Sequence, residues 1–191
     1  MSKRAILIAS LMLALSAPAS AADKGMGKPP APKAVDEKGV NAWVERYIDD
    51  EGYGVSAFDP DSVALVELDS IKTMKDGTLR FWSKTEYFKP TKLGEVDGIR
   101  SYKLLTALDC DKERIQSLAI DYYGENSLQG EQLSSIEGDE SWTYLRPGSW
   151  DEYVAADVCA YVIELAKTKA AGSAKLKGVE SEAKAWVGSV K

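Results

Sequence analysis

The residues of this chain best suited to covalent chemistry are its two cysteines, Cys110 and Cys159. An even number of cysteines in an exported protein favours a disulfide bond, and these two stand 49 positions apart. Closing a loop of that length stabilises a folded domain by about 4 kcal/mol in the chain-entropy description. Two free thiols or a bridge between chains are the alternatives. We predict the intramolecular bond, which would fasten a C-terminal helix to a strand.

The sequence offers few residues suited to acid-base or nucleophilic catalysis. The chain contains no histidine, so neither a Ser-His nor a Cys-His pair can form. Phosphate-binding loops of the GxxxxGK[ST] or GxGxxG type are also missing from the sequence. A carboxylate-only mechanism would draw on Asp59, Asp61, Glu67 and Asp69, but such clusters arise by chance among 30 acidic residues. We predict that the protein is not an enzyme.

Metal and cofactor binding are equally poorly supported. Zinc would need more nitrogen or sulfur ligands than two cysteines supply without histidine. The acidic segments 49–51 and 59–61 offer hard oxygens for calcium, but the alternating acids, central glycine and closing glutamate of a calcium loop are missing. We therefore predict no metal and no cofactor.

The N-terminus indicates export. Lys3 and Arg4 precede an apolar run over residues 5–15, and small residues follow it, a pattern typical of a signal peptide over residues 1–21. Cleavage is expected after Ala21 or, as second choice, after Ala22; a buried N-terminal helix is the alternative. With no cysteine near that site, we expect no lipid anchor. No later segment of the sequence has an apolar run long enough to span a bilayer.

Charge argues against nucleic acid as a partner. The formal net charge is −6, and loss of Lys3 and Arg4 with the signal peptide makes it −8, whereas nucleic-acid binding needs a basic surface. The distribution is uneven, since six lysines and two glutamates follow from Lys167 onward. A basic tail over residues 171–191 is therefore predicted, with the spacing of a weak second helix, and a solvated tail is its simplest interpretation.

Between the signal peptide and this tail, composition divides the chain into a linker and one domain. A Pro/Lys-rich segment, residues 22–39, predicts a flexible linker, and residues 40–170 predict the folded domain. Its first element is a short amphipathic helix from Val40 to near Gly52. Strands are predicted at 63–68, 78–88, 100–108 and 114–123, with shorter ones at 129–133 and 141–145. Asp76-Gly77 predicts a hairpin turn and Pro90 the end of a strand.

The last predicted element is a helix that begins after Pro147-Gly148. Ser149 and, three residues later, Glu152 form a capping-box pattern. The apolar stripe that follows consists of Val154, Ala155, Val158, Cys159, Val162 and Leu165. This helix is predicted to run to Ala170, before Gly172-Ser173 interrupts it. The predicted fold is α+β, a twisted antiparallel sheet of about five or six strands with this helix packed on it.

Aromatic and basic residues alternate along the strand that begins near residue 78. They form a candidate contact patch: Arg80, Trp82, Lys84, Tyr87, Lys89 and Lys92. Aromatic and arginine side chains supply much of the binding energy at protein interfaces. The alternative, which we favour for Trp82, places its ring in the core beneath the C-terminal helix. Lys89 and Lys92 are expected to be exposed in either case.

The order of several short motifs resembles one known family. The motifs are Asp69-Ser70-Ile71, Arg80–Lys84, Arg100–Lys103, Asp109-Cys110, Arg114, Tyr122-Tyr123, Trp142, Pro147–Ser149 and Cys159. Together they resemble the surface-adhesin protein E-like domain, and the likeness covers about residues 55–160. The basic segment after Lys167 lies outside it.

The resemblance implies a twisted antiparallel sheet with a disulfide-linked C-terminal helix. It also implies a Gram-negative envelope protein, in a family whose named member is an adhesin for matrix and serum proteins that forms dimers. We therefore expect an exported, non-enzymatic protein that binds a protein partner in the envelope or host matrix, with a homodimer as a further expectation. Without a lipobox cysteine, the expected location is the periplasm, with the outer surface or secretion as alternatives. A structural or stress-related periplasmic role is the rival function.

Overall fold

The computed structural model describes residues 28–139 and 141–189, with side chains up to residue 169. The helices of this part of the chain are α1 (Glu37–Tyr47) and α2 (Trp150–Ser189). The strands, in chain order, are β1 (Tyr53–Phe58), β2 (Ser62–Glu67), β3 (Lys72–Thr73), β4 (Leu79–Leu93), β5 (Val96–Asp109), β6 (Arg114–Tyr123), β7 (Gln132–Glu137) and β8 (Thr143–Tyr144). The predicted signal peptide and the first residues of the predicted linker lie outside the described residues.

Within the described residues, the eight strands form one antiparallel sheet in the order β1-β2-β4-β5-β6-β7. Two short strands lie off this path, where β3 pairs with the start of β4 and β8 pairs with the start of β6. β5 and β6 are antiparallel neighbours across the short turn after Asp109. The predicted α+β fold with an antiparallel sheet is thus confirmed, although two strands, β1 and β3, were missed.

β1 escaped the sequence pattern because its residues are weak strand formers. Gly54 and Ser56 interrupt the apolar residues, and the register shifts between Val55 and Ala57. The strand forms because β2 offers an unpaired edge and α2 covers the inward side chain of Ala57, which is buried. Formation of β1 therefore depends on contacts with β2 and with the distant helix α2, and a local sequence pattern does not reveal such contacts.

The prediction that Pro90 ends its strand was wrong. β4 continues to Leu93, and its pairing with β5 is irregular between Glu86 and Thr91. Pro90 falls inside that irregular stretch, where the missing backbone N–H takes no hydrogen bond away from a regular ladder.

α2 packs on one face of the sheet. Val154, Ala155 and Val158 are buried against Phe81 and Leu108. Burying an aliphatic or aromatic side chain of this size stabilises the fold by roughly 1.5–3 kcal/mol. The remaining core members are Ala57, Ala64, Val66 and Leu79. Leu165, placed on the predicted apolar stripe, is 39% exposed because it lies beyond the sheet.

A disulfide bond and a capped N-terminus hold α2 in place. Cys110, at the end of β5, is bonded to Cys159 with the Cα atoms 6.1 Å apart, which confirms the predicted pairing. Ser149 Oγ accepts a hydrogen bond from Glu152 N at 3.2 Å, and Glu152 Oε2 accepts one from Gly148 N at 2.5 Å. Gly148 adopts a φ of +75°, a left-handed conformation that disfavours side chains. The turn and the cap therefore start the helix together.

The opposite face of the sheet is covered at one end by α1. Val40, Trp43 and Val44 of α1 pack against Leu65 of β2, and all four side chains are buried. The helix begins at Glu37, inside the predicted linker, because the Asp36 carboxylate caps it by accepting from Gly39 N at 2.7 Å.

The described end of the predicted linker also contacts the body. Trp43 Nε1 donates to Pro30 O at 2.6 Å, Arg100 donates to Pro29 O at 3.2 Å, and the Pro29 side chain is buried. Composition suggested a solvated segment here, but these two carbonyls find donors on elements that fold against them.

α2 is longer than predicted. It continues without interruption from Trp150 to Ser189, so Gly172-Ser173 does not end it and the described tail is part of the same helix. A lone glycine in a helix interior costs only about 1 kcal/mol relative to alanine. No helix among the described residues is both long and apolar enough to cross a membrane.

Candidate functional site

The predicted contact patch is divided by the structure between the two faces of the sheet. Side chains alternate along β4, so Arg80, Trp82 and Lys84 face the α1 side, while Tyr87 faces the α2 side. Lys89 and Lys92 lie in the part of β4 where the pairing with β5 is irregular, and both are exposed. The six residues therefore do not form one continuous surface, and their role in binding stays a prediction.

Trp82 lies at the open end of the α1 side. Our preferred placement of its ring beneath α2 was wrong, because Phe81 occupies that position and Trp82 points to the other face. The ring is partly exposed, and Lys103 Nζ lies 4.5 Å from its centre. A cation this close to an indole ring is held by the ring's quadrupole. Lys103 also pairs with Glu67 at 3.6 Å.

A shallow cleft of about 520 Å³ surrounds this ring. We call the surface formed by Arg80, Trp82, Lys103 and Leu105 the Trp82 surface. Arg80 is exposed at its rim, and Leu105 and Trp82 give it an apolar centre. Backbone position is fixed there because Trp82 N donates to Ser70 Oγ at 2.8 Å. The arrangement is an apolar and aromatic centre with a charged rim, typical of a protein contact.

Lys84 belongs to a buried polar network and is not on this surface. Its side chain is 3% exposed, its Nζ donates to Asp49 O, and Nζ lies 4.1 Å from the centre of the Tyr53 ring. The Glu86 carboxylate lies 4.0 Å from the same ammonium. A buried ion needs such partners to offset the loss of water.

The loop between β6 and β7 supplies the remaining partners of Glu86. Asn126 is fully buried, and its Nδ2 donates to Glu86 Oε2 at 3.0 Å, Tyr87 O at 3.1 Å and Arg100 O at 3.2 Å. Ser127 N donates to both carboxylate oxygens of Glu86, at 3.1 and 2.9 Å. The loop is thereby locked onto the sheet. We call Lys84, Glu86, Asn126 and Ser127 the buried polar network.

Burial also shifts the pKa values of Lys84 and Glu86. Loss of water raises the pKa of Glu86 to about 7, and the Lys84 ammonium and the two loop donors oppose that rise. Burial lowers the pKa of Lys84, against the attraction of Glu86 and of neighbouring carboxylates. All of these groups have partners, and no buried side-chain nitrogen or oxygen among the described residues lacks one. The buried polar network therefore holds the β6–β7 loop on the sheet, and its carboxyl group, Glu86, has a raised pKa.

Sequence reasoning missed Asn126 and Glu86 altogether. Asn126 stands in a polar loop, and the next two residues, Ser127 and Leu128, both adopt a φ of +57°. A charged pair on one face of a strand that also carries Phe88 was the available signal, since such residues must find partners when an apolar neighbour is buried.

On the described residues, no group of histidine, cysteine, aspartate and glutamate side chains is arranged to hold a metal ion.

The family model of surface-adhesin protein E matches residues 53–160. This chain belongs to the surface-adhesin protein E family. The match runs from the start of β1 to residue 160, within α2. It includes both cysteines, the Trp82 surface and the buried polar network. The resemblance inferred from short motifs is therefore confirmed.

Solved structures similar to this surface-adhesin protein E family member come from Haemophilus influenzae protein E. One is 16% identical, covers 71% of this chain and 93% of its own, and has a TM-score of 0.47. A second crystal form is 16% identical, with coverage of 70% and 96% and a TM-score of 0.47. Protein E from non-typeable Haemophilus influenzae is 16% identical, covers 70% of this chain and 82% of its own, and has a TM-score of 0.42. No curated protein matches this chain.

Proposed function

We propose that this protein is an exported, non-enzymatic envelope protein that binds a protein partner through the Trp82 surface. Membership of the surface-adhesin protein E family is the observation that carries this proposal. The signal-peptide pattern of residues 1–21 supports export. Its compartment is the periplasm, and an outer-surface or secreted location is the alternative.

The chemistry of the Trp82 surface supports a protein as the ligand. Trp82 and Arg80 are of the two residue types that most often dominate binding energy at interfaces. Lys103 keeps the indole ring oriented from above, and Leu105 adds apolar area beside it. A partner that displaces water from the indole and pairs with Arg80 would gain from both. A host matrix or serum protein is the partner class that the family resemblance implies.

Location is tested by protease accessibility. Protease is added to intact cells of the host and, separately, to cells whose outer membrane has been permeabilised. Digestion in intact cells indicates surface exposure and directs the search to matrix proteins. Protection until permeabilisation places the protein in the periplasm and favours the rival role, a structural or stress-related envelope protein.

Binding is tested with the purified mature protein on plates coated with basement-membrane extract or serum. Trp82→Ala and Arg80→Ala should each reduce retained protein several-fold, because each removes a side chain of the Trp82 surface. Lys169→Ala, exposed on α2 and outside the predicted contact patch, is the matched control and should bind normally. Equal binding by all variants would rule out this surface, and unchanged circular dichroism would show that folding is intact.

Dimer formation is tested separately by sedimentation at several concentrations. A homodimer is proposed here because the family resemblance implies one. A constant monomer mass across the concentration range would exclude it.

A further inference from the structure

A second cleft lies on the α2 side of the sheet, next to the first turn of α2. Its volume is about 460 Å³, and its lining includes Asp59, Asp61, Tyr87, Lys89, Tyr102 and Trp150. We call it the tyrosine cleft. It lies on the opposite face from the Trp82 surface and contains Tyr87 and Lys89, two members of the predicted patch that lie away from Trp82.

Aromatic rings form the wall of the tyrosine cleft. Tyr87 and Tyr102 lie with ring centres 6.2 Å apart, and Tyr102 stands 5.8 Å from Tyr122, its cross-strand partner on β6. Trp150, at the start of α2, closes one side. The Tyr87, Tyr102 and Trp150 side chains are only partly buried. Ring surface in this cleft is therefore available to a ligand.

Carboxylates give the tyrosine cleft a negative potential. Asp59 Oδ1 accepts from Asp61 N at 2.8 Å, Ser62 N at 2.7 Å and Ser62 Oγ at 3.1 Å, so the carboxylate is held in one position and its bonds all fall on one oxygen. Asp61 is exposed at the mouth. The Tyr102 hydroxyl, on the wall, is within electrostatic reach of both Asp59 and Asp151.

Balancing positive charge is scarce in this lining. Lys89 is the cation among the described residues that line the cleft, against the carboxylates of Asp59 and Asp61 and the nearby Asp151. Loss of water to burial, with smaller contributions from neighbouring groups that include Asp59, holds the pKa of Tyr87 far above its usual range. The tyrosine rings accordingly stay neutral and present electron-rich faces. With one lysine against two aspartates, the formal charge of the lining favours a cation over an anion.

We propose that the tyrosine cleft binds an organic cation, a guanidinium or alkylammonium group that stacks on the tyrosine wall and pairs with Asp59 and Asp61. A guanidinium fits best, because it is planar, stacks on aromatic rings and pairs with two carboxylate oxygens at once. The cation can come from a free small molecule or from an arginine side chain of a protein partner. The tyrosines also stabilise the sheet as cross-strand neighbours, but that role needs no carboxylates at the mouth.

The test is a titration of the ¹⁵N-labelled mature protein followed by two-dimensional NMR. The probes are N-acetyl-arginine amide and the peptide N-acetyl-Ala-Arg-Ala amide, whose only charge is the guanidinium, with N-acetyl-citrulline amide as the neutral counterpart of the same shape. Both arginine probes should shift the signals of Tyr87, Tyr102 and the Trp150 indole, and citrulline should not. The shifts should weaken as salt rises, because the attraction is electrostatic.

Variants make the titration specific. Asp61→Asn removes an exposed charge at the mouth and should weaken arginine binding by roughly fivefold, the effect of about 1 kcal/mol. Asp111→Asn, an exposed aspartate in the β5–β6 turn, is the matched control and should leave the affinity unchanged. Tighter binding of the peptide than of the amide would assign the cation to a partner protein, and equal binding would assign it to a free small molecule.

Three results would overturn the proposal. They are no shifts with either arginine probe at concentrations up to about 10 mM, which would reveal even a millimolar dissociation constant, equal shifts with citrulline, or an unchanged affinity in Asp61→Asn. Because the probes are small cations added to the purified protein, failure here is distinct from failure of matrix binding by the Trp82 surface.

Discussion

The Lys84 ammonium and the Glu86 carboxylate lie 4.0 Å apart on the same face of β4, at 3% and 0% side-chain exposure. Two charges have thus been taken out of water in the middle of the sheet. The Asp49 carbonyl, Asn126 and Ser127 replace the lost water with hydrogen bonds. A pair of this kind adds little net stability, but loss of one partner leaves the other charge uncompensated.

The free energy of unfolding should fall as pH rises from about 4.5 to about 7. Burial raises the pKa of Glu86 from 4.5 to about 7, so in this window the folded protein keeps a proton that the unfolded chain has released. The stabilising contribution is complete below pH 4.5 and is lost as pH rises through the folded value. Urea unfolding across about pH 3.5 to 8, roughly one unit beyond each pKa, measures it.

The control for this pH dependence is Glu86→Gln, which has no proton to exchange. Its slope through the same window should be shallower than that of the unchanged protein, even if the variant is less stable at every pH. Glu137→Gln, an exposed position on β7, should keep the original slope. Identical slopes in Glu86→Gln and the unchanged protein would contradict the assignment to Glu86.

Asn126→Ala should destabilise the fold by about 2–4 kcal/mol. The change removes the donor that serves Glu86, Tyr87 O and Arg100 O, and each buried acceptor left without a partner costs about 1–3 kcal/mol. Chemical denaturation measures the loss, and hydrogen exchange should show faster exchange in the β6–β7 loop. Gln129→Ala, exposed in the same loop, should change stability by less than about 0.5 kcal/mol. Equal effects of the two changes would show that the network does not hold the loop.

Reducing the bond between Cys110 and Cys159 should lower the melting temperature by roughly 10 °C. The bond closes 49 residues, which corresponds to about 4 kcal/mol. Calorimetry with and without reductant measures the shift, and thiol labelling confirms that reduction is complete. A double variant, Cys110→Ala with Cys159→Ala, should melt at the same temperature in both conditions. An unchanged melting point after confirmed reduction would refute the predicted contribution.

Gly138→Ala should destabilise the protein by about 1–3 kcal/mol through a steric clash. Gly138 follows β7 and donates its N–H to Leu118 O at 2.9 Å, and a Cβ built there would stand 1.7 Å from Ser117 O. The backbone would have to move to admit it. Gly54→Ala is the matched control, because its Cβ would meet only the Leu68 side chain at 3.6 Å. Similar melting temperatures for the two variants would mean that the β7 end is freely displaced.

Local pattern and residue type were enough to predict several parts of this protein. The cap at Ser149, the strands around Leu65 and Leu104 and the helix stripe from Val154 follow from short-range spacing. The Cys110–Cys159 bond followed because two cysteines allow one intramolecular pairing. The family followed from the order of motifs that those elements impose.

Only the tertiary structure decided which face of β4 meets which helix. Both faces carry apolar and charged residues, so alternation alone placed neither Trp82 nor Lys84. Trp82 became partly exposed because Phe81 took the position beneath α2. Lys84 became buried because Asp49, after the end of α1, and Tyr53 on β1 lie against its ammonium. Burial of the Glu86 carboxylate depends on Asn126, 40 positions away, and no local pattern encodes such a contact.

The tyrosine cleft illustrates the same division. Aspartates in a turn and tyrosines on separate strands are each unremarkable in sequence. The antiparallel register sets Tyr102 opposite Tyr122 and brings the Asp59 turn beside Tyr87, and α2 adds Trp150 to the wall. Chain segments from four parts of the sequence meet there because strand pairing and the helix's disulfide-fastened position are long-range constraints.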